Sequence, residues 1–204
     1  MPTLSEAASK TFLGSELPLP RELHTSDVNA AVTFTGSGRV VAKASGVAHK
    51  TEGGLVRLNL DAAGVEDCFD EIASAGDGSV LIVEMVKADI ELIIGATRDP
   101  TFGPIIMIGA GGITAEATPD VVALLSPPES GEVADALARL RIAPLLRGWR
   151  GAAPADVEAI ERLVAVIANA MQNNHVQEID CNPVAIVQGQ PLVLDALVVL
   201  ADAP

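Results

Sequence analysis

The sequence predicts an α/β protein built as two lobes, and three observations carry that expectation. Apolar residues make up 49% of the 204 positions but aromatics only 2%. The core must then be Ala, Val, Leu and Ile, as in packed layers of helix and sheet. The stretch Ala75-Gly76-Asp77-Gly78 is a strong break, and beyond it near-continuous apolar runs replace a more mixed pattern. Near the C-terminus two apolar segments flank Gly189, which reads as a hairpin. The division falls at residue 79, with 21–79 as a small lobe and 1–20 plus 80–204 as a large one.

Taken in order, Thr3 and Glu6 suggest a capping box ahead of Leu4, Ala7, Ala8 and Phe12 at helical spacing. Gly14 to Pro20 ends that helix. Residues 27–35 are expected to form a short helix. Arg39 to Ala44 (RVVAKA) reads as a strand with a single lysine. The turn Gly46 to Gly54 leads to a second strand at Leu55 to Leu60, and a helix follows at 62–73. Val80 to Val86, Glu91 to Thr97 and Gly103 to Gly112 read as strands buried on both faces. Helices are expected at 131–141 and 154–172. The second has Pro154 near its first turn and a stripe of Val157, Ile160, Val164, Ile167 and Met171. Val176 to Val187 and Leu192 to Leu200 form the closing hairpin.

A formal charge of -14 argues against nucleic acid or an anionic membrane as partner, since both require Lys and Arg to neutralise phosphates. Cys68 and Cys181 lack metal-ligand spacing and read as reduced, buried thiols. The N-terminus has neither the basic start nor the apolar run of a signal peptide. No segment has the roughly 20 continuous apolar residues a membrane helix needs. The expectation is a soluble, cytoplasmic protein.

Along the first hairpin strand Glu178, Asp180 and Asn182 alternate, so the three side chains leave by one face. A turn at Gln188-Gly189 sets position 182 opposite 195, with Cβ atoms about 5 Å apart and Asp180 diagonal to Asp195. Oxygen donors in that arrangement suit Mg²⁺, which takes one or two protein carboxylates and completes its shell with phosphates and waters. The alternative is a solvated polar face on an edge hairpin. Against it, a carboxylate within LVLDALVVL is costly to bury without a partner.

Lys43 can be a snorkelling edge residue or an ammonium aimed from a strand at a nucleotide phosphate. His49-Lys50-Thr51-Glu52-Gly53-Gly54 sets an imidazole, an ammonium and a hydroxyl beside glycines whose N–H groups can approach a phosphate. Gly109-Ala110-Gly111-Gly112 is followed by neither the Lys-Ser/Thr of a P-loop nor the third glycine of a dinucleotide fingerprint. It reads as a strand end where backbones pack closely. Glu84 and Glu91 are either structural carboxylates or acceptors for an adenine amine and ribose hydroxyls.

Together these segments resemble one family over almost the whole chain. Gly95-Ala96-Thr97-Arg98-Asp99-Pro100-Thr101-Phe102-Gly103-Pro104 looks like its strand-turn-strand signature, continued by Gly109 to Ile113 and Glu116. Leu145 to Gly151 (LLRGWRG), Glu178-Ile179-Asp180-Cys181-Asn182-Pro183 and Leu194-Asp195-Ala196 match three further motifs in the family's order. The family is the ATP-grasp subunit or domain of NDP-forming acyl-CoA synthetases, which includes ADP-forming acetate-CoA ligases. Succinyl-CoA synthetase β-subunits are more distant relatives.

The resemblance implies an ATP-grasp fold, with ATP or ADP held in a cleft between the two lobes. It implies that Lys43, Glu84 and Glu91 serve the nucleotide, with Lys50, Gly53, Gly54 and Val86 as further candidates beside them. It makes Asn182 and Asp195 the Mg²⁺ ligands, to which the hairpin spacing adds Asp180, and His49 a phosphoryl relay. It also implies a ligase working with a CoA-binding partner whose phosphohistidine exchanges a phosphoryl group with ADP or ATP. Three departures stand out. Ala44 to Ala48 replaces a longer stretch in relatives, their paired glycines fall one position later than Gly53-Gly54, where this chain has Leu55, and Leu124 stands where they usually have arginine. A shortened small lobe also permits a non-catalytic nucleotide-binding or scaffolding subunit, and a third reading is the ATP-grasp part of a multidomain acyltransferase.

Overall fold

The computed structural model describes residues 1–47, 55–112 and 119–202. They form two compact units, one of Met1–Thr3, Lys10–Pro18 and Lys87–Pro204, the other of Leu4–Ser9 and Leu19–Val86. Among the described residues no helix is long and apolar enough to cross a membrane.

The second unit is a four-stranded sheet in the order β1-β4-β2-β3, with β1 at Glu22–Thr25, β2 at Val40–Ala44, β3 at Val56–Leu60 and β4 at Val80–Glu84. Helices α2 (Val28–Thr35) and α3 (Ala62–Ser74) pack on it, capped by Asp27 and Asp61, whose carboxylates accept from the Asn29 and Gly64 N–H groups. Val40, Ala42 and Ala44 alternate into this core with Val65, Phe69 and Ile72. That alternation turns Lys43 to the opposite face. β4 lies between β1 and β2, so the unit runs on to Val86 and does not stop at residue 79. β1 escaped the sequence reading because Glu22-Leu23-His24-Thr25 is short and mostly polar.

The first unit is an antiparallel sheet in the order β10-β8-β5-β6-β7, with β9 also paired to β8. Its strands are β5 (Ile90–Asp99), β6 (Gly103–Ala110), β7 (Val121–Leu125), β8 (Val176–Val187), β9 (Gln190–Val193) and β10 (Ala196–Leu200). Helices α4 (Glu132–Arg139), α5 (Ala143–Leu146) and α6 (Val157–Ala170) belong to this unit, and α4 and α6 pack against its strands. Val80–Val83 of β4 are buried throughout, but Met85, in the same expected run, is 43% exposed. β5 and β6 alternate, with Ile94 and Ile106 buried but Met107 39% exposed, because helices cover one face of this sheet.

Helix α6 starts three residues later than expected. The Asp156 carboxylate accepts from the Ala159 N–H at 2.9 Å and caps it, leaving Pro154 outside. Its buried stripe is Ile160, Leu163, Val164, Ile167 and Met171, while Val157 is exposed. Arg98 closes the far end, donating to the carbonyls of Met171 at 2.7 Å and Val176 at 3.2 Å. Helix α1 (Glu6–Leu13) contributes to both units. Its first turn is capped by the Ser5 hydroxyl, which accepts from the Ala8 N–H at 3.4 Å. Thr3 instead forms a bridge with Val199, so the Thr3/Glu6 capping box does not form. Of the two thiols, Cys181 is buried and Cys68 only half-buried.

Candidate functional site

The hairpin keeps one register from its turn out to Val199 and shifts only between Val199 and Leu200. Val187 pairs with Gln190 and Val184 with Val193, and beyond the break at Leu194-Asp195 Cys181 pairs with Ala196 and Asp180 with Leu197. At the break the Asn182 N–H donates to the Asp195 carbonyl at 3.2 Å and the Leu194 N–H to the Pro183 carbonyl at 3.0 Å. Position 182 therefore lies opposite 195, as the turn at Gln188-Gly189 requires. Ile179 and Cys181 point into the core, while Glu178 and Asn182 are exposed and Asp180 and Asp195 half-buried.

Burial raises the Asp180 carboxyl above the usual carboxylate range, and the neighbouring Glu178 adds to it. The Cys181 thiol is pushed up to about 12 by burial and then by Asp180 and Asp195, with Lys10 opposing. Burial thus favours the neutral thiol over the thiolate. Lys10 is 3% exposed and donates to the Leu194 carbonyl at 3.5 Å.

Among the described residues no group of three or more His, Cys, Asp or Glu side chains is gathered to hold a metal. Asn182, Asp195 and Asp180 offer two carboxylates and an amide oxygen. That hard, incomplete donor set fits Mg²⁺, which retains waters and phosphate oxygens, and does not fit a softer ion caged by protein alone.

Glu91 lies on β5 opposite Ala185. Its carbonyl accepts from the Gly111 N–H at 2.8 Å. A Cβ on Gly111 would meet the Glu91 backbone carbon at 3.0 Å, and one on Gly112, at φ +79°, would meet the Glu91 carboxylate at 3.0 Å. The glycine run is thus a strand end where backbone approaches backbone. The signature around Gly95 has a similar cause, since a Cβ there would lie 2.7 Å from the Ile179 carbonyl oxygen.

In the second unit Lys43 is 11% exposed at its side chain, and its Nζ lies 2.8 Å from Glu6 Oε1. Glu84 ends β4 with its carboxylate 3.8 Å from the Arg21 guanidinium, which stacks 5.0 Å over Phe34. Val86 is half-buried just past β4. His49, Lys50, Gly53 and Gly54, named above for phosphoryl relay and phosphate binding, lie outside the described residues, as does Glu116.

Two groups escaped the sequence reading. Glu6 and Lys10 are charged residues four apart on one helix, both 3% exposed. Their four-residue spacing, which sets both on one helix face, was the available signal. The other is a polar knot. His24 Nε2 sits 2.9 Å from the Ser45 hydroxyl and 2.6 Å from that of Ser79, and both hydroxyls donate to Asp77. It ties the turn after α3 to the end of β2, and its members are too far apart in sequence to read together.

A model of the ATP-grasp domain matches residues 2–200. The 4-hydroxybutyrate–CoA ligase (ADP-forming) of Nitrosopumilus maritimus is 35% identical over 202 residues, covering 91% of this chain and 28% of that protein. The chain thus spans little more than a quarter of that relative. It covers 85% of the β subunit of acetate–CoA ligase (ADP-forming) I of Pyrococcus furiosus, at 28% identity and 90% of its own length. The dinucleotide-forming acetyl-coenzyme A synthetase 1 of Ca. Korarchaeum cryptofilum, solved with coenzyme A and Mg-AMPPCP and with a phosphohistidine segment pointing towards the nucleotide site, superposes with a TM-score of 0.81. That match is 31% identical and covers 96% of this chain and 91% of that one. With a family model spanning nearly every residue and the four-stranded and antiparallel sheets in place, this chain belongs to the ATP-grasp domain family.

Proposed function

We propose that the chain is the nucleotide- and Mg²⁺-binding part of an NDP-forming acyl-CoA synthetase, a ligase that forms a carbon–sulfur bond. It exchanges a phosphoryl group between ATP or ADP and a phosphohistidine on a CoA-binding partner, either a separate subunit or another module of the same polypeptide. The observation that carries this reading is the hairpin register, which sets Asn182 opposite Asp195 beside Asp180. The length match to a β subunit supports it.

Phosphoryl transfer demands in-line positioning and neutralisation of the oxygens' charge more than covalent machinery. Asn182 and Asp195, with Asp180, hold Mg²⁺ in this proposal, and the ion neutralises charge on the phosphoryl oxygens. Lys43 supplies a second positive charge from β2, joined by Lys50 and the N–H groups of Gly53 and Gly54. Glu84, Val86 and Glu91 receive the adenine and ribose. His49 acts as the relay, its neutral imidazole taking the phosphoryl group as the bond to the donor breaks. In the direction of ATP synthesis the final step breaks a P–N bond as a P–O bond to ADP forms.

Isothermal titration of the chain with ADP and ATP, with and without Mg²⁺, tests the reading. Mg²⁺-dependent binding that Asp195→Ala removes is the expected result. Equal binding by the wild-type chain and the variant would exclude this hairpin as the metal site.

A further inference from the structure

Helix α1 turns polar residues inward. Glu6, Ser9 and Lys10 are buried while Phe12 on the same helix is 39% exposed. Burying an ion pair does not by itself explain its presence, because desolvation offsets most of the attraction and an apolar pair of similar volume is often as stable. The pair Glu6–Lys43 therefore calls for a role other than holding the fold together.

Geometry supplies one. Strand alternation sends Lys43 to the face of β2 away from α2 and α3. An unanchored lysine there would extend along its flexible stem towards water. Instead its Nζ lies 2.8 Å from Glu6 Oε1, with the Glu6 side chain 2% exposed and that of Lys43 11%. The carboxylate is itself fixed by burial in the first turn of α1. A bond from this ammonium to a buried carboxylate fixes the charge in space. Lys43 is thus ordered before any phosphate arrives, and the entropy of restraining its stem is lost on folding rather than on binding.

We propose that Glu6 is a positioning residue for the nucleotide, holding the Lys43 ammonium where a phosphate oxygen meets it. This rests on the reading of Lys43 as a phosphate contact. The test measures Mg-ADP affinity by calorimetric titration for the wild-type chain, Glu6→Gln, Lys43→Met and the double variant, with melting temperatures alongside. Glu6→Gln is expected to weaken ADP about tenfold, the low end of what loss of a supporting partner costs at a charged site, and Lys43→Met to weaken it more. The double variant should bind no worse than Lys43→Met alone, because Glu6 acts through that lysine.

Wild-type affinity or tighter binding in Glu6→Gln, or losses that multiply in the double variant, would overturn the assignment. Wild-type affinity in Lys43→Met would instead remove the underlying reading of Lys43, so the two failures are separable. If Glu6→Gln does not fold, Glu6→Asp keeps the charge on a stem one methylene shorter. It is expected to fold and to bind ADP about threefold more weakly, and unchanged affinity there would count equally against the proposal.

Discussion

Lys43 in β2 and Asp180 in β8 are both charges set into apolar strands, and the chain treats them differently. Lys43 is met by a buried carboxylate at 2.8 Å. Asp180 is held above the usual carboxylate range by burial, and its neighbour Glu178 pushes the same way. One unit settles its cation within the chain. The other gathers negative charge on a hairpin face, where an added cation relieves the strain of like charges. The contrast separates a group ordered in advance from a group whose charge is best satisfied by a ligand.

The largest test of that contrast is on the acidic side. Asp195→Ala should lower Mg²⁺-dependent ADP affinity by at least about 100-fold, the upper end of the loss when a supporting residue alone is removed from a metal site. Titration at fixed ADP and varied Mg²⁺ reads it. Retention of the Mg²⁺ dependence would leave the two units without the difference drawn here.

On the basic side the larger effect is on stability. Glu6→Ala strands a mostly buried ammonium, at a cost of about 3 kcal/mol, or roughly a 6–12 °C drop in Tm for a chain of this size. Adding Lys43→Met should restore much of it, which scanning calorimetry can follow. Asp180→Asn should move Tm the other way, upward by an amount worth less than about 1 kcal/mol without Mg²⁺, because it removes a charge that burial and Glu178 both disfavour. A fall in Tm would mean that Asp180 is satisfied inside the chain, as Lys43 is.

The hairpin was legible because period-two alternation and a glycine turn fix register from sequence alone, so Asn182 opposite Asp195 followed by counting. The α6 stripe was legible for a similar reason. Its start was not, since Asp156 outcompetes Pro154 as the boundary by capping the Ala159 N–H. β7 was overlooked although Val121-Val122-Ala123-Leu124-Leu125 is a compact apolar run. The placement of β4 between β1 and β2, which carries the second unit on to Val86, is a long-range pairing no local break can reveal. Glu6 was read as a cap because local spacing offered a partner at Thr3, whereas its partner in space is 37 residues away.

The smallest effect concerns a third way of settling a charge. Asp77 is exposed, yet its carboxyl is lowered chiefly by the Ser79 hydroxyl and further by the Ser79 N–H, Ser45 and His24. A depressed folded-state value means that the ionised form stabilises the fold above the unfolded value, about 3.9, and that this contribution disappears as pH falls through the lower folded value. At such an exposed site screening limits it to about half a kcal/mol, or roughly 1–2 °C in Tm. Asp77→Asn should therefore melt slightly below the wild type at pH 7. The gap should hold down to about pH 5 and close as pH falls below about 4. A gap unchanged through that range would show that Asp77 acts through the shape of its hydrogen bonds to Ser45 and Ser79 and not through its charge, setting it apart from both Lys43 and Asp180.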